Sequence, residues 1–288
     1  MPSTAVAGIL CGTGAALFWA AGLVAAKHGI QAGLSPTDIA FHRFTWAGLA
    51  LLPFVLRDHP SDLGGIGWTR GGVLALLAGP LLAILSYLGL AFAPFGHGAV
   101  VQPATAMLVG LMMATWLLRE PLSRRRSLGA LAILAGLLLL AAEAVTTIGH
   151  RGVTGDLMFI TAGAAWATFG TLLRHWRLAG LRAAMVVSAL SLLYAPVHAV
   201  VFGFDRMIAV GLGQNLLQIL VQGVFAGAGA IYLFTRAVAL LGAGRAASFP
   251  ALVPAMTLLL GFLFLGEIPT LVQLAGLAAV FIGFRLAL

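Results

Sequence analysis

The sequence predicts an all-α membrane protein of ten transmembrane helices in two inverted five-helix repeats, with N- and C-termini cytoplasmic. Three observations carry this. Of 288 residues, 61% are hydrophobic and 8% charged, where an ordinary soluble domain has roughly a quarter of its residues charged. A gapless shift of 147 residues lays Trp19 on Trp166, His28 on His175, Pro103 on Pro250 and Glu120 on Glu267, and brings Gly129 and Gly136 onto Gly276 and Gly283. Each copy, 1–146 and 147–288, is long enough for five spans. Five is odd, so the second copy enters the bilayer from the opposite side, and inverted repeats mark proteins that bind a solute where the repeats meet.

The spans follow from apolar runs of about 20 residues, the length needed to cross the hydrocarbon as helix. The first is expected over about Thr4–Ala26; without a basic leader, and with an apolar run too long for a signal-peptide core, it reads as retained. The second covers about Thr37–Leu56. From Gly71 to Leu118 the only titratable side chains are Tyr87 and His97, and Ala93-Pro94-Phe95-Gly96 interrupts the run. That stretch reads as a hairpin, Gly71–Phe92 and His97–Leu118. Leu128–Thr146 closes the first copy; Thr154–Leu173, Ala183–Gly203, Gln214–Thr235, Arg245–Leu265 and Thr270–Leu288 make the second. All must be helices, because lipid offers the backbone no partner and no barrel-like alternation appears.

Lysine and arginine orient these spans. With the N-terminus inside, twelve of the sixteen fall in inner segments, only Lys27, Arg151 and Arg206 in outer ones, and Arg43 within a span, the bias expected when both termini are cytoplasmic. The net charge of +8 therefore reflects orientation, and nucleic-acid binding is rejected. Cys11 is the only cysteine, so neither an intrachain disulfide nor a thiolate metal cage is possible. Gly8/Gly12 and Gly223/Gly227 have the spacing that lets helices approach closely.

With these features in place, the chain resembles the drug/metabolite transporter superfamily, in the ten-helix branch built from two EamA-type domains. Trp19 with Lys27 and Arg43-Phe44 are similar to that family's first- and second-helix patterns. Pro103, Leu118-Arg119-Glu120-Pro121-Leu122-Ser123, Gly129 and Gly136 resemble its fourth-to-fifth-helix signature, repeated by Pro250, Leu265-Gly266-Glu267, Gly276 and Gly283. Arg119 and Ala20 stand where the family often has Gly. The resemblance implies a central cavity between the halves, lined by helices three, four, eight and nine, and is closest to YddG-type exporters of aromatic amino acids.

Candidate substrate-binding residues are Trp19, His42, Arg43, Tyr87, Gln102, Trp166, Gln218, Gln222, Ser248 and Phe249. Arg43 is a charge about 9 Å from the outer end of its span at 1.5 Å per residue, costly unless it meets water or a partner. It either locks helix carbonyls or grips a substrate carboxylate with two guanidinium nitrogens. Trp19 and Trp166 occupy equivalent positions and would offer flat apolar walls; Tyr87 and Phe234 form a second equivalent pair. Gln214, Gln218 and Gln222 are spaced by four and read as one wall of an externally accessible vestibule. Ser188, Ser191 and His198 read as interhelical contacts. Gln102 beside Pro103, and Ser248-Phe249 beside Pro250, sit where proline frees a backbone carbonyl. His42, His97 and His198 also serve as packing residues, and no metal site is expected. Glu120 and Glu267 read as helix caps.

No carboxylate is expected in mid-span, which disfavours a cationic-drug pump and a carboxylate-built sodium site. The expected function is export of amino acids, aromatic in side chain (Phe, Trp, Tyr), from a multi-pass protein of the bacterial inner membrane, by facilitated diffusion or exchange. A purine or another small neutral solute is the rival cargo, and an intramembrane enzyme the rival class; the sequence shows no nucleophile-and-base set for the latter. No cofactor and no obligate protein partner is expected; the partners are a small-molecule substrate and the lipid bilayer.

Overall fold

Helix boundaries in the computed structural model, which describes residues 2–57, 60–117, 119, 123–143, 150–241 and 249–287, follow the turn chemistry of the sequence. Helix α1 (Pro2–Ala32) continues past its expected end, carrying Lys27 inside the helix, until Gly33 adopts φ 111°, a left-handed conformation that stops a helix at low cost when glycine supplies it. Helix α2 (Pro36–Arg57) opens on a reciprocal cap. The Ser35 N–H donates to Asp38 Oδ2 at 2.8 Å while Asp38 N–H donates to Ser35 Oγ at 3.1 Å, satisfying two donors that a helix start leaves without partners.

The expected third span divides at Gly79-Pro80 into α3 (Trp68–Ala78) and α4 (Pro80–Phe92), because proline brings no N–H to the ladder. Then follow α5 (Phe95–Trp116), α6 (Arg124–Glu143) and α7 (His150–His175). The seventh span is α8 (Gly180–Leu190) and α9 (Tyr194–Val201), joined by a tighter turn over Ser191–Leu193. A short α10 (Asp205–Ala209) precedes α11 (Gly211–Gln218), which runs on through a π-helical stretch, Ile219–Gly229, into α12 (Ala230–Leu241). The chain ends in α13 (Val253–Leu265) and α14 (Leu271–Ala287).

Among the described residues no strand occurs, and seven helices are long and apolar enough to cross a membrane: 4–32, 36–57, 68–92, 95–116, 150–175, 180–201 and 211–241. Shorter apolar helices at 127–136, 253–265 and 271–283 occupy the other expected positions.

The chain folds into two compact units, and each draws on both sequence halves: residues 1–81 with 178–260, and residues 82–177 with 261–288. In the first unit α1 packs along α12 and the π stretch, α2 lies against the π stretch and α8, and α3 rests on α8. Glycine permits this closeness. A Cβ built on Gly227 would stand 2.6 Å from the Ala47 Cβ, and one on Gly223 would collide with Trp46, so the Gly223/Gly227 pair brings the π stretch onto the α2 backbone.

In the second unit α5 packs on α7, and α6 on α14. The α6–α14 contact is reciprocal. A Cβ on Gly136 would lie 2.8 Å from the Gly276 carbonyl oxygen, and one on Gly283 would lie 2.6 Å from the Gly129 carbonyl oxygen. Residue number rises along one helix as it falls along the other, so these two helices, equivalent under the 147-residue shift, run antiparallel.

Candidate functional site

Helix α2 presents Asp38, His42 and Trp46 four residues apart, hence on one face, with Arg43 beside His42. What each meets decides its chemistry. His42 is 1% exposed. Its Nδ1 accepts from the Trp46 indole N–H at 3.4 Å and its Nε2 faces Asn215 Oδ1 at 3.1 Å. Asn215 spends its amide hydrogens on the Met207 and Gly211 carbonyls at 2.6 and 2.7 Å, so Oδ1 acts as an acceptor and His42 as the Nε2–H donor. One donor and one acceptor fix a neutral ring. The candidate reading of His42 as a substrate contact therefore gives way to a buried helix-to-helix link.

The same correction applies to Gln218 and Gln222, both fully buried. The Gln218 amide donates to the Ala25 carbonyl at 2.8 Å and that of Gln222 to the Gly22 carbonyl at 2.6 Å. These amides tie α11 and the π stretch to α1, because an amide facing lipid would lack partners. They do not form the expected vestibule wall; Gln214 and Asn215 are only half-buried.

Arg43 stays half-buried. Its Nη1 makes one long contact to Gln222 Oε1 at 3.5 Å and lies 3.7 Å from where a Gly22 Cβ would stand. A guanidinium has five N–H donors, so most of this one's capacity is uncommitted among the described residues. One turn before Gly22 on α1, Trp19 is half-buried against Phe234, rings 5.6 Å apart and tilted by 51°. Phe249 fills the notch at Gly12, in contact with the α1 backbone, which makes it a packing residue at that position. The first unit thus gathers a guanidinium and two aromatic rings along one side of α1.

A second polar group in the same unit surrounds His198, which is fully buried. Its Nε2 stands 3.3 Å from Asp38 Oδ1. Its Nδ1 lies 3.5 Å from the Tyr194 hydroxyl, which itself donates to the Thr37 carbonyl at 3.2 Å. The rings of Phe41, Phe202 and Phe204 close around it, at 4.9, 5.6 and 5.5 Å.

The second unit holds a comparable pair. His97 Nδ1, on α5, meets both carboxylate oxygens of Asp156, on α7, at 3.0 and 3.1 Å, with both residues buried. Asp38 is 3% and Asp156 7% exposed, each sheltered by a histidine. Tyr87 is buried in this unit, Gln102 half-buried, and Trp166 remains 47% exposed while stacked on Phe169 at 5.2 Å. Ser248 and Glu120 lie outside the described residues. Among the described residues no group of three or more His, Cys, Asp or Glu side chains is arranged to hold a metal.

Of the candidate residues, Trp19, His42, Arg43, Gln218, Gln222 and Phe249 fall in the first unit, and Tyr87, Gln102 and Trp166 in the second. Sequence reasoning missed Asp38, Asp156, Asn215 and the pairing of His198. The Ser35-x-x-Asp38 cap and the four-residue Asp38–His42 spacing were visible signals. The contact between His97 and Asp156, 59 residues apart, had none.

Compared with known proteins, the chain matches the model of the EamA-like transporter family twice, over residues 6–142 and 153–288. A solved crystal structure is 18% identical and superimposes with a TM-score of 0.65, covering 97% of this chain and 96% of that one; at that identity it speaks for the fold alone. No curated protein matches the chain.

Proposed function

The chain belongs to the EamA-like transporter family, multi-pass membrane proteins that move small solutes, and from that premise we propose that it exports amino acids with aromatic side chains by alternating access. The full proposal is ten spans in two inverted repeats, 1–146 and 147–288, with both termini cytoplasmic, in a bacterial inner membrane. The antiparallel contact of the equivalent helices α6 and α14 supports the inversion, since copies related by a two-fold axis in the membrane plane meet in that manner.

One observation carries the substrate class. Arg43 is a half-buried guanidinium within an apolar span, holding one long contact, with the Trp19–Phe234 ring pair on the neighbouring helix. A guanidinium with spare N–H groups binds a carboxylate in paired hydrogen bonds, and adjoining rings accept a flat apolar side chain. In the proposed pose the amino acid carboxylate meets Arg43 and its ring meets Trp19 and Phe234. Trp166 (at the position equivalent to Trp19), Tyr87 and Gln102 are retained as the candidate substrate contacts of the second unit.

The test is uptake and counterflow of labelled Phe, Trp, Leu and Lys in liposomes holding the purified protein. Saturable exchange of Phe or Trp in preference to Lys is expected, with a large loss in Arg43→Gln. A neutral ring such as a purine remains the second reading, favoured by the same aromatic pair; its transport would survive Arg43→Gln. Trp19→Ala and Trp166→Ala are each expected to lower transport more than expression, by up to about tenfold for a lost ring contact of about 1.4 kcal/mol. Normal rates in both would make them scaffold.

A further inference from the structure

Three elements of the first unit converge where Gly22 leaves α1 without a side chain. A Cβ built there would meet Ala226 Cβ at 2.7 Å, Gln222 Oε1 at 3.5 Å and Arg43 Nη1 at 3.7 Å. Ala226 and Gln222 belong to the π stretch and Arg43 to α2. Backbone sets how near the last two come. A Cβ on Gly223 would stand 3.2 Å from the His42 carbonyl oxygen, and one on Gly227 3.5 Å from that of Arg43. The π stretch therefore lies directly on the α2 backbone where Arg43 leaves it.

Gln222 meets its two neighbours with opposite ends of one amide. Its Nε2 donates to the Gly22 carbonyl at 2.6 Å, an acceptor that requires an N–H, and this turns Oε1 toward Arg43 Nη1 at 3.5 Å. The side chain is fully buried, so the amide dipole acts on the guanidinium without water between to screen it. At that distance the dipole steers the charge more than it binds it. The acceptor is also neutral. A carboxylate in its place would pair with the cation and cancel it, and would set an oxygen against the Gly22 carbonyl. No acid answers Arg43 in this way among the described residues. Asp38, the only acid on α2, gives Oδ2 to the Ser35 N–H and has His198 beside Oδ1.

We propose that Gln222 is a positioning residue for solute recognition, aiming the Arg43 guanidinium while leaving its charge to select a carboxylate. It acts through Arg43 and touches no solute. Amide in place of acid at this position is then what makes the site prefer an amino acid over the same molecule without its carboxyl group. This inference rests on the carboxylate-binding reading above and adds a specificity determinant to it.

The experiment reads selectivity. Counterflow of labelled phenylalanine in liposomes is inhibited with unlabelled phenylalanine and with phenylethylamine, which keeps the ring and the amine and lacks the carboxyl group. The preference is the ratio of the two half-inhibiting concentrations, measured for wild type, Gln222→Glu and Gln222→Met. Wild type should prefer phenylalanine, and Gln222→Glu should lower that preference at least about tenfold, because it sets a like charge against the solute carboxylate. Gln222→Met cuts the same tie to Gly22 without adding charge, and should keep the larger part of the preference. A Gln222→Glu protein with the wild-type preference, or a Gln222→Met protein that loses as much, overturns the proposal and leaves transport standing. A second readout needs no solute: the rate at which phenylglyoxal modifies Arg43, followed by mass spectrometry of its peptide. Pairing shields a guanidinium, so Arg43 should react severalfold more slowly than wild type in Gln222→Glu and faster in Gln222→Met. Equal rates overturn the proposal. If Gln222→Glu is not recovered folded, wild type against Gln222→Met decides by that rate. Wild type that moves no phenylalanine, or shows no preference for it, ends the carboxylate reading, and the modification rates then decide alone whether Gln222 holds Arg43.

Discussion

The two units each bury one aspartate against one histidine, yet hold the acid differently. In the second unit both oxygens of Asp156 rest on the same nitrogen of His97, at 3.0 and 3.1 Å. In the first, Asp38 divides its oxygens between a backbone N–H and His198. A carboxylate held by a single partner is a staple, since removing the partner strands a buried charge. One with an independent donor tolerates a change in its histidine. The difference separates an acid that joins helices α5 and α7 through one histidine from one that also caps the start of its own helix.

The sharpest way to break this contrast is Asp156→Ala. Removing the carboxylate that His97 Nδ1 meets should cost about 1–3 kcal/mol, the usual penalty for taking a partner from a buried polar group, seen as a fall in thermal unfolding temperature in detergent. A loss no greater than that of Asp38→Asn would erase the distinction. Next comes Gly136→Leu, also in the second unit, where the new side chain meets the Gly276 carbonyl; overpacking of this kind costs about 1–3 kcal/mol, measured in the same assay. Asp38→Asn should cost only about 1 kcal/mol, because the asparagine Oδ1 is still able to accept the Ser35 N–H in the reciprocal cap, while it removes the charge opposite His198. The smallest effect belongs to Trp46→Phe. It deletes the indole donor to His42 and should cost about 0.5–1.5 kcal/mol, one net hydrogen bond. An unchanged unfolding temperature would show that this hydrogen bond adds nothing to the packing of α2.

The helical skeleton was legible because each span has to satisfy its own backbone and because proline and glycine punctuate it. Pro36, Gly33 and the Ser35 cap set the α1–α2 junction from local chemistry alone. The division at Gly79-Pro80 carried the same kind of signal. The site was only half legible. Arg43 and Trp19 stand out as rare residue types within apolar runs, whatever surrounds them. The glutamine stripe misled because a four-residue spacing says which face the amides share and nothing of what covers it; α1 does, through the Ala25 and Gly22 carbonyls. The histidine–aspartate pairs were hidden for a different reason. A sequence lists an acid near a helix start as solvated until another helix is known to close over it.

The glycine crossings of α6 and α14 also have a mechanical meaning. Two pinned points along one pair of rods make a pivot at either end: widening the crossing at Gly136–Gly276 alone would splay the rods there while the Gly129–Gly283 end stayed shut. Widening both would lift them apart without rotation. Single and double enlargements at these positions therefore produce different movements from the same added volume.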